Sequence, residues 1–377
     1  MNKEKTYRRL GDYIKEYSAK NKTGENIPVY SVTNSKGFCK EYFSKEVASQ
    51  DKTSYKIVPY GCFAFNPSRI NVGSVDWQNK EEKVIVSALY NVFSVSEGIL
   101  QPYLLYFLKS PATIKFIDTI ATGTVRLNLK FSMLKDFTLP IPSIPVQRTI
   151  VAELDKINEL ISIKRSQLSD FDNLAQSIFN DMFGDFEDDT PLSHFINSLG
   201  GGKSLAGMVP CINKVLKTGA VTYDCFDGNA VKDLPIDYVP LPEHLLKNGD
   251  LLVSRMNSPE LVGSCAYVWK APANTYLPDR LWRAELKQGN NPIYLWFSII
   301  QLKAKEQIRT LASGTSGSMK NISKPRFLSV KIKNVPLSLQ QEFAKRIELI
   351  EQQKAQISST IKDLETLLAS RMQYWFD

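Results

Sequence analysis

Residues 147–183 read QRTIVAELDKINELISIKRSQLSDFDNLAQSIFNDMF, and residues 340–376 read QQEFAKRIELIEQQKAQISSTIKDLETLLASRMQYWF. Neither stretch contains glycine or proline, and each follows a proline-containing segment, LPIPSIP at 139–145 or NVPLSL at 334–339. Because proline is tolerated at the start of a helix and breaks its interior, both stretches are predicted to be long helices that begin just after those prolines. Their equal lengths indicate an internal repeat with an offset of 193 residues.

Apolar side chains recur along both stretches at alternating steps of three and four residues, the heptad pattern of helices that pack on one another. The simplest partner for each seam is the other helix, so the two are predicted to pair antiparallel. The alternative is that each helix packs on its own globular domain. The residues predicted to pair the helices are Ile150, Leu154, Ile157, Leu168 and Phe171 in the first and Phe343, Ile347, Ile350, Ile361 and Leu364 in the second.

The net charge of the 377-residue chain is +8, and it is unevenly distributed. Residues 1–146 carry +7 and residues 186–339 carry +5, whereas residues 147–185 carry −3 and residues 340–377 carry −1. These four ranges are the predicted order of the chain: domain, helix, domain, helix. A basic surface favours a polyanionic partner, although many basic proteins never bind nucleic acid.

The two basic segments also resemble each other, more faintly than the helices do. RRLGDYIKEYSAKNKTG at 8–24 parallels TPLSHFINSLGGGKSLAG at 190–207, and YGCFAFNPSRINVGSV at 60–75 parallels NGDLLVSRMNSPELVGSC at 248–265. Runs of β-branched residues predict strands, and apolar-faced stretches predict further helices. The predicted class is α+β: two mixed α/β domains separated by two long antiparallel coiled-coil helices, in a pseudo-twofold repeat.

The cellular compartment is predicted from segments that the chain lacks. No apolar run is long enough for a membrane helix, and the opening MNKEKTYRRL has no apolar core of a signal peptide. The five cysteines are odd in number and form no CxxC pair, which argues against a disulfide framework or a zinc site. We therefore expect a cytoplasmic protein.

A proline-marked entry followed by Gln-Arg or Gln-Gln and a heptad seam ending in Phe occurs twice, each time behind a different domain. This arrangement resembles the DNA-specificity subunit of Type I restriction-modification systems, over essentially the whole chain. Two entry sequences depart from the usual pattern. SIPVQR (143–148) lacks an acidic residue before the glutamine, and LSLQQE (337–342) lacks a second proline.

The resemblance implies a non-catalytic subunit with two target recognition domains that bind double-stranded DNA. It also implies partners: two modification subunits, which complete an adenine-N6 DNA methyltransferase, and restriction subunits, which add an ATP-dependent translocase and nuclease. S-adenosylmethionine, ATP and Mg²⁺ are then expected on those partners, and no cofactor is expected on this chain.

The length of the helices suits a bipartite reader of DNA. A helix of this length spans roughly 54 Å at about 1.5 Å per residue, which corresponds to about 16 base pairs at roughly 3.4 Å each. Two heads held apart by such helices are predicted to read two short half-sites with an unread gap between them. Because the domains differ in sequence, the half-sites should differ, and the whole site should be asymmetric.

Base readout uses paired hydrogen-bonding groups, chiefly Arg or Lys for guanine and Asn or Gln for adenine. For each candidate, a phosphate contact or no DNA contact remains an alternative to base reading. The residues predicted to contact DNA are Lys20, Lys22, Arg69, Asn71 and Arg126 in the first domain and Lys203, Arg255, Asn257, Arg280 and Lys320 in the second.

Catalytic motifs are not recognised in the sequence. SLGGGKS (198–204) lacks the first glycine of a phosphate-binding loop, since Asn197 stands there, and NPSR (66–69) only partly matches an amino-methyltransferase motif. Neither His194 nor His244 stands beside a plausible Cys or Ser nucleophile, so no catalytic or metal residues are predicted. The alternatives are a stand-alone DNA methyltransferase or nuclease, and a coiled-coil scaffold for protein partners alone.

Overall fold

The structure, a computed structural model, describes residues 5–40, 51–120, 128–314 and 319–377. Short strands and helices alternate over these ranges, which confirms the predicted α+β class. Within them, no helix combines the length and the apolar character needed to cross a membrane.

The chain divides into two compact units. The first comprises Met1–Gln167 together with Gln356–Asp377, and the second comprises Leu168–Ala355. Each unit therefore contains one globular domain and a part of both long helices. The boundaries drawn from the sequence differ, since they assign each helix whole to a segment of its own.

Short strands dominate the globular part of the first unit. They are β1 (Tyr7–Arg9), β2 (Ile14–Glu16), β3 (Ser31–Thr33), β4 (Gly37–Cys39), β5 (Lys56–Pro59), β6 (Phe63–Phe65), β7 (Val75–Trp77), β8 (Lys83–Val86), β9 (Asn91–Val95) and β10 (Thr138–Pro140). The helices that follow β9 are α1 (Gln101–Leu108), α2 (Pro111–Ile120), α3 (Phe131–Leu134) and the first long helix α4 (Ile144–Phe183).

A four-stranded antiparallel sheet, in the order β2-β9-β6-β7, forms the centre of the first unit. Its middle strand β6 is wholly buried because both of its faces are covered. Phe63 lies opposite Phe93, and the two rings stack with centroids 5.0 Å apart. Strand β1 pairs with β10, so the start of the unit is hydrogen-bonded to the segment that enters α4.

The second unit repeats the main elements of the first and has additional short strands. Its strands are β11 (Asp188–Pro191), β12 (Ile196–Gly200), β13 (Lys214–Leu216), β14 (Val221–Thr222), β15 (Cys225–Phe226), β16 (Val231–Asp233), β17 (Leu251–Ser254), β18 (Met256–Asn257), β19 (Cys265–Tyr267), β20 (Thr275–Tyr276), β21 (Leu281–Leu286), β22 (Lys320–Asn321) and β23 (Lys331–Lys333). Its helices are α5 (Pro292–Ile299), α6 (Leu302–Leu311), α7 (Lys324–Leu328) and the second long helix α8 (Leu337–Phe376).

The central sheet of the second unit has the order β12-β21-β17-β19 and is also antiparallel. Val253 on β17 lies between Trp282 on β21 and Cys265 on β19. Strand β11 pairs with β23, which leads into α8, as β1 pairs with β10 before α4. The faint repeat in the sequence is therefore a repeat of structure, as predicted.

A buried glutamine marks the start of each long helix. Gln147 accepts a hydrogen bond from Leu100 N (2.9 Å) and donates to Gly98 O (2.7 Å), at the start of α1. Gln340, 193 positions later, accepts from Asn291 N (2.8 Å), the residue before α5, and donates to Val335 O (2.9 Å). Each glutamine thus joins the long helix to the first helix of its own domain.

In the first unit, the two long helices run antiparallel and share the core of the domain. Arg165 Nη2 lies 2.6 Å from Glu365 Oε1, and Arg371 pairs with Glu153. Phe376, at the end of α8, packs on α1, with ring centroids 5.2 Å from Tyr103. Each helix therefore contacts both the other helix and the domain, so the two packing alternatives are combined.

In the second unit, the other halves of the helices pair in the same way. Lys354 Nζ on α8 lies 2.8 Å from Asp172 Oδ1 on α4. Phe343 lies edge-on to Phe179 and Phe183, with centroids 5.6 Å and 5.3 Å away, and Tyr294 of α5 completes the cluster 5.2 Å from Phe183. The predicted antiparallel pairing is thus confirmed within each unit.

The ten predicted pairing positions differ in burial along the helices. Those near the domains are the most buried: Ile150 (2% exposed), Leu154 (0%), Ile157 (7%), Phe343 (0%), Ile347 (1%) and Ile350 (5%). Those nearer the middle of each helix are half-buried: Leu168, Phe171, Ile361 and Leu364. Near the domains the helix is covered by the domain as well as by the other helix, which explains the greater burial there.

Candidate nucleic-acid interface

Three segments of the second unit are hydrogen-bonded to one another beside the central sheet. Gly202 N donates to Pro278 O (2.9 Å), and Arg255 N donates to Arg280 O (3.1 Å). Arg255 O in turn accepts from Ile322 N at 3.0 Å. The turn after β12, the end of β17 and the segment before α7 therefore converge around residues 278–280.

These bonds bring together the five residues predicted to contact DNA in the second domain. Arg255 and Arg280 are joined by their backbones, and Asn257 on β18 lies opposite Lys320 on β22. Lys203 lies between Gly202 and Ser204, and the hydroxyl of Ser204 is hydrogen-bonded to Asp279. We call this group of five, on its connected segments, the second-domain basic site.

The side chains of this site differ in solvent exposure and in hydrogen bonding. Lys203 and Arg280 are exposed, whereas Arg255, Asn257 and Lys320 are half-buried. Asn257 Oδ1 accepts a hydrogen bond from Ser258 N (2.9 Å), so one of its two polar groups is already engaged. The amide nitrogen is only weakly held, at 3.4 Å from Ser254 Oγ.

Arg255 lies against an aromatic ring that the sequence analysis did not single out. Its guanidinium carbon is 5.8 Å from the ring centroid of Trp282, within the range of a cation–π contact. Trp282 is 3% exposed and is held by its place in β21. The alternating pattern of LWRAEL (281–286) indicates a strand that contains Trp282. No local pattern in the sequence indicates that this ring lies against Arg255.

Gly202, one of the three glycines of SLGGGKS, has a structural role in place of phosphate binding. A Cβ on Gly202 would lie 2.0 Å from Leu277 O, so a side chain cannot be accommodated where the two segments cross. A Cβ on Gly200 would meet nothing within 4 Å. Gly202 therefore permits the close approach that places Lys203 beside residues 278–280.

In the first unit, Lys20 and Lys22 are exposed on one loop. Lys20 forms an isolated β-bridge with Lys56, and Asn21 N donates to Tyr55 O at 2.9 Å. The buried Asn21 side chain holds the loop closed through two bonds to the backbone of Glu25, at 2.9 and 3.0 Å. The two lysines therefore project from a loop that is well anchored.

Arg69 and Asn71 lie on a second loop, which follows β6. Arg69 is exposed at a cavity of about 250 Å³ whose lining also includes Asn66 and Tyr90. Asn71 Nδ2 donates to Asp118 Oδ1 of α2 at 3.0 Å, so this amide is used within the domain. No hydrogen bond among the described residues joins this loop to the loop of Lys20, and Arg126 lies outside the described residues.

An equivalent backbone hydrogen bond in each unit identifies corresponding positions in the two candidate surfaces. Leu129 N donates to Pro67 O (3.0 Å) in the first unit, as Ile322 N donates to Arg255 O in the second. Leu129 and Ile322 are 193 positions apart, the offset of the long helices. Proline therefore stands in the first domain where arginine stands in the second, and the two domains present different chemistry at the corresponding place.

The described residues give no sign of a metal centre. Within them, no group of three or more His, Cys, Asp or Glu side chains could hold a metal ion. Cys265 is fully buried, and burial raises the pKa of its thiol well above the usual range. Such a thiol is a poor nucleophile at neutral pH.

Together, the fold and its basic loops define a two-domain protein in which an α/β head occurs twice on a paired-helix scaffold. A family model described as the Type I restriction modification DNA specificity domain matches residues 3–170 and 214–366. Because these ranges cover most of the chain, the protein belongs to that family.

Two curated relatives are specificity subunits of Type I restriction enzymes. The chain is 23% identical to the EcoKI specificity subunit of Escherichia coli K12 over 305 residues, which cover 74% of this chain and 65% of that protein. The chain thus spans slightly less than two thirds of that relative. It is 31% identical to the MjaIX specificity subunit of Methanocaldococcus jannaschii over 91 residues, 24% of this chain and 21% of that one.

Solved structures support the fold over the whole chain. The S subunit of a Type I restriction-modification system from M. genitalium has a TM-score of 0.54 at 14% identity, covering 99% of this chain and 96% of that one. A chain from work on complex assembly and conformational transition of the type I R-M system has a TM-score of 0.56 at 15% identity, covering 98% and 96%. At these identities the likeness shows the fold alone.

Proposed function

We propose that this chain is a DNA-specificity subunit that recognises a bipartite, asymmetric DNA site and directs Type I modification and restriction subunits to it. The observation that carries the proposal is the second-domain basic site, in which backbone bonds bring together the segments that bear Lys203, Arg255, Arg280 and Lys320. Such a cluster supplies the phosphate contacts that position a protein on duplex DNA.

The bipartite character rests on the repeat. Each unit has its own sheet, its own candidate surface and a part of both long helices. Because Pro67 replaces Arg255 at the corresponding position, equal half-sites are not expected. The recognised site is therefore proposed to be asymmetric, with different bases read by the two domains.

The proposed partners are double-stranded DNA, two modification subunits and the restriction subunits. S-adenosylmethionine, ATP and Mg²⁺ belong to those subunits in this proposal, and the chain itself contributes binding without catalysis. It is proposed to act in the cytoplasm.

Gel shifts of the chain assembled with its modification subunits test this proposal. Affinity for DNA carrying the site should fall steeply with salt, by about 0.9 log unit per log unit of salt for each phosphate contacted. DNA of equal length without the site should bind far more weakly. Equal binding of both DNAs at every salt concentration would contradict sequence recognition, and no binding of either would favour a scaffold for proteins alone.

Incubating the isolated chain with DNA and labelled S-adenosylmethionine tests the enzymatic alternative. The proposal expects methyl transfer only after the modification subunits are added. Methyl transfer or cleavage by the isolated chain would overturn it.

A further inference from the structure

Arg255 is the residue of the second-domain basic site whose position is most tightly fixed. Its backbone nitrogen donates to Arg280 O and its carbonyl accepts from Ile322 N, so it is bound on both sides directly after β17. The guanidinium is half-buried over the ring of Trp282, whose own ring lies 6.3 Å from that of buried Phe327. Backbone and side chain are both held.

The guanidinium of Arg255 is nevertheless not engaged in hydrogen bonds with any described residue. Its Nε is buried and has no partner, as is also true of Arg283 Nε and of the neighbouring Asn321 Oδ1. The distinguishing feature of Arg255 is that its two terminal nitrogens also donate to no described residue, which leaves them available to a ligand outside the domain.

Arg283, also on β21, differs from Arg255 in the hydrogen bonds of its guanidinium. Its Nη1 donates to Glu243 O (2.8 Å), and its Nη2 donates to Leu245 O (2.5 Å) and to Asp250 Oδ2 (2.7 Å). The terminal nitrogens of Arg283 thus serve the fold. Those of Arg255 are directed to no acceptor in the described part of the chain.

We propose that Arg255 reads a guanine in the major groove of the half-site bound by the second domain. The inference rests on the proposed function and adds a base and a residue to it. A planar guanidinium with a fixed orientation matches the O6 and N7 acceptors of guanine with two parallel bonds. A phosphate contact needs only positive charge, which the exposed Lys203 and Arg280 supply without any aromatic support.

The substitution Arg255→Lys tests this assignment because it keeps the charge and removes the two-pronged donor. Binding is measured for the chain assembled with its modification subunits, on DNA in which each guanine of the second half-site is replaced in turn by 7-deazaguanine, which lacks the N7 acceptor. For the unsubstituted protein, one position should lose about tenfold affinity or more. For Arg255→Lys, the loss at that same position should be much smaller, because the lysine ammonium cannot make the two parallel bonds of a guanidinium.

Arg309→Lys is the matched control, since Arg309 is exposed on α6 and lies outside the second-domain basic site. It should leave the 7-deazaguanine profile unchanged. Thermal unfolding of both variants shows that the domain is intact. The inference is overturned if Arg255→Lys weakens all DNAs equally, if its profile matches that of the unsubstituted protein, or if the half-site contains no G·C pair.

These outcomes are separate from failure of the proposed function. If the unsubstituted complex binds its site in preference to other DNA while Arg255→Lys keeps full discrimination at every guanine, the specificity role stands and the assignment of Arg255 falls. If the unsubstituted complex shows no preference, the proposed function itself falls.

Discussion

Glu153 of the first long helix and Arg371 of the second form a two-pronged ion pair within the first unit. Arg371 Nε and Nη2 donate to the two oxygens of the carboxylate, the latter at 3.1 Å, and Trp375 Nε1 donates to the same carboxylate at 3.1 Å. The helices are thus joined by directed polar contacts as well as by their apolar seam.

The Glu153–Arg371 ion pair predicts how the stability of the first unit changes as the pH falls. The hydrogen bond from Arg371 is the largest cause that lowers the pKa of Glu153 below its ordinary value of 4.5. A lowered pKa in the folded state contributes stability above pH 4.5, and this is lost as the pH falls through the lowered value. Glu153→Gln should therefore cost about 0.5–1 kcal/mol of unfolding free energy at pH 7, since the pair is partly exposed.

Denaturant unfolding of both proteins between pH 7 and pH 3 checks this. The difference in unfolding free energy between Glu153→Gln and the unsubstituted protein should disappear at the acid end of the series. Asp170→Asn, at an exposed position of the same helix, should show no such difference. A difference that stays constant with pH would show that the charge of Glu153 is not the cause.

The heptad seam predicts a sharp contrast between neighbouring positions of α8. Ile347 is 1% exposed and Leu349 is 63% exposed. Ile347→Ala should lower the unfolding free energy by about 2–5 kcal/mol, because it leaves a cavity in the core of the second unit. Leu349→Ala should change it by about 0.5 kcal/mol or less. Similar losses for both variants, measured by denaturant unfolding, would be inconsistent with the observed helix packing.

Gln147 and Gln340, the buried glutamines at the starts of the two long helices, are predicted to stabilise the fold. Gln147→Ala or Gln340→Ala removes the bonds that join each long helix to its domain and leaves partly buried backbone groups unpaired. Each change should cost about 1–3 kcal/mol in thermal or denaturant unfolding. Gln352→Ala, on the exposed face of α8, is the control and should be nearly neutral. If Gln147→Ala and Gln340→Ala left the unfolding free energy unchanged, water would be replacing these bonds readily.

Gly202 links the fold to the candidate DNA surface. In Gly202→Ala, the new Cβ would lie 2.0 Å from Leu277 O, so the turn that carries Lys203 must shift. We expect DNA affinity of the assembled complex to fall at least several-fold, whereas Gly200→Ala, which meets nothing within 4 Å, should bind normally. Equal affinities in gel shifts would mean that the position of this turn is unimportant for binding.

The helices and the repeat could be predicted from the sequence because their signals are local and long. Heptad spacing from Ile150 onward and the prolines before each helix specify where the helices lie and which face is apolar. The predicted starts at Gln147 and Gln340 fall three residues after the observed starts at Ile144 and Leu337, because Pro145 fits the first turn and Leu337 directly follows Pro336.

The interior of the candidate site could not be predicted in the same way. Charged residues in predicted loops pointed to Lys203, Arg255 and Lys320, but their proximity depends on long-range pairing of β18 with β22 and on the crossing at Gly202. The contact of Arg255 with Trp282 depends on strands distant in sequence. Burial and partners such as these are properties of the tertiary fold.

The most direct measurement of the central claim is N6-methyladenine sequencing of DNA from cells that carry the partner subunits, with and without this gene. The gene should add methylation at one asymmetric motif made of two different short half-sites with an unread gap. Replacing residues 186–339 with the corresponding domain of a relative should change one half-site and leave the other unaltered. A single uninterrupted motif, or a replacement that changes both half-sites together, would contradict bipartite recognition by two separate domains.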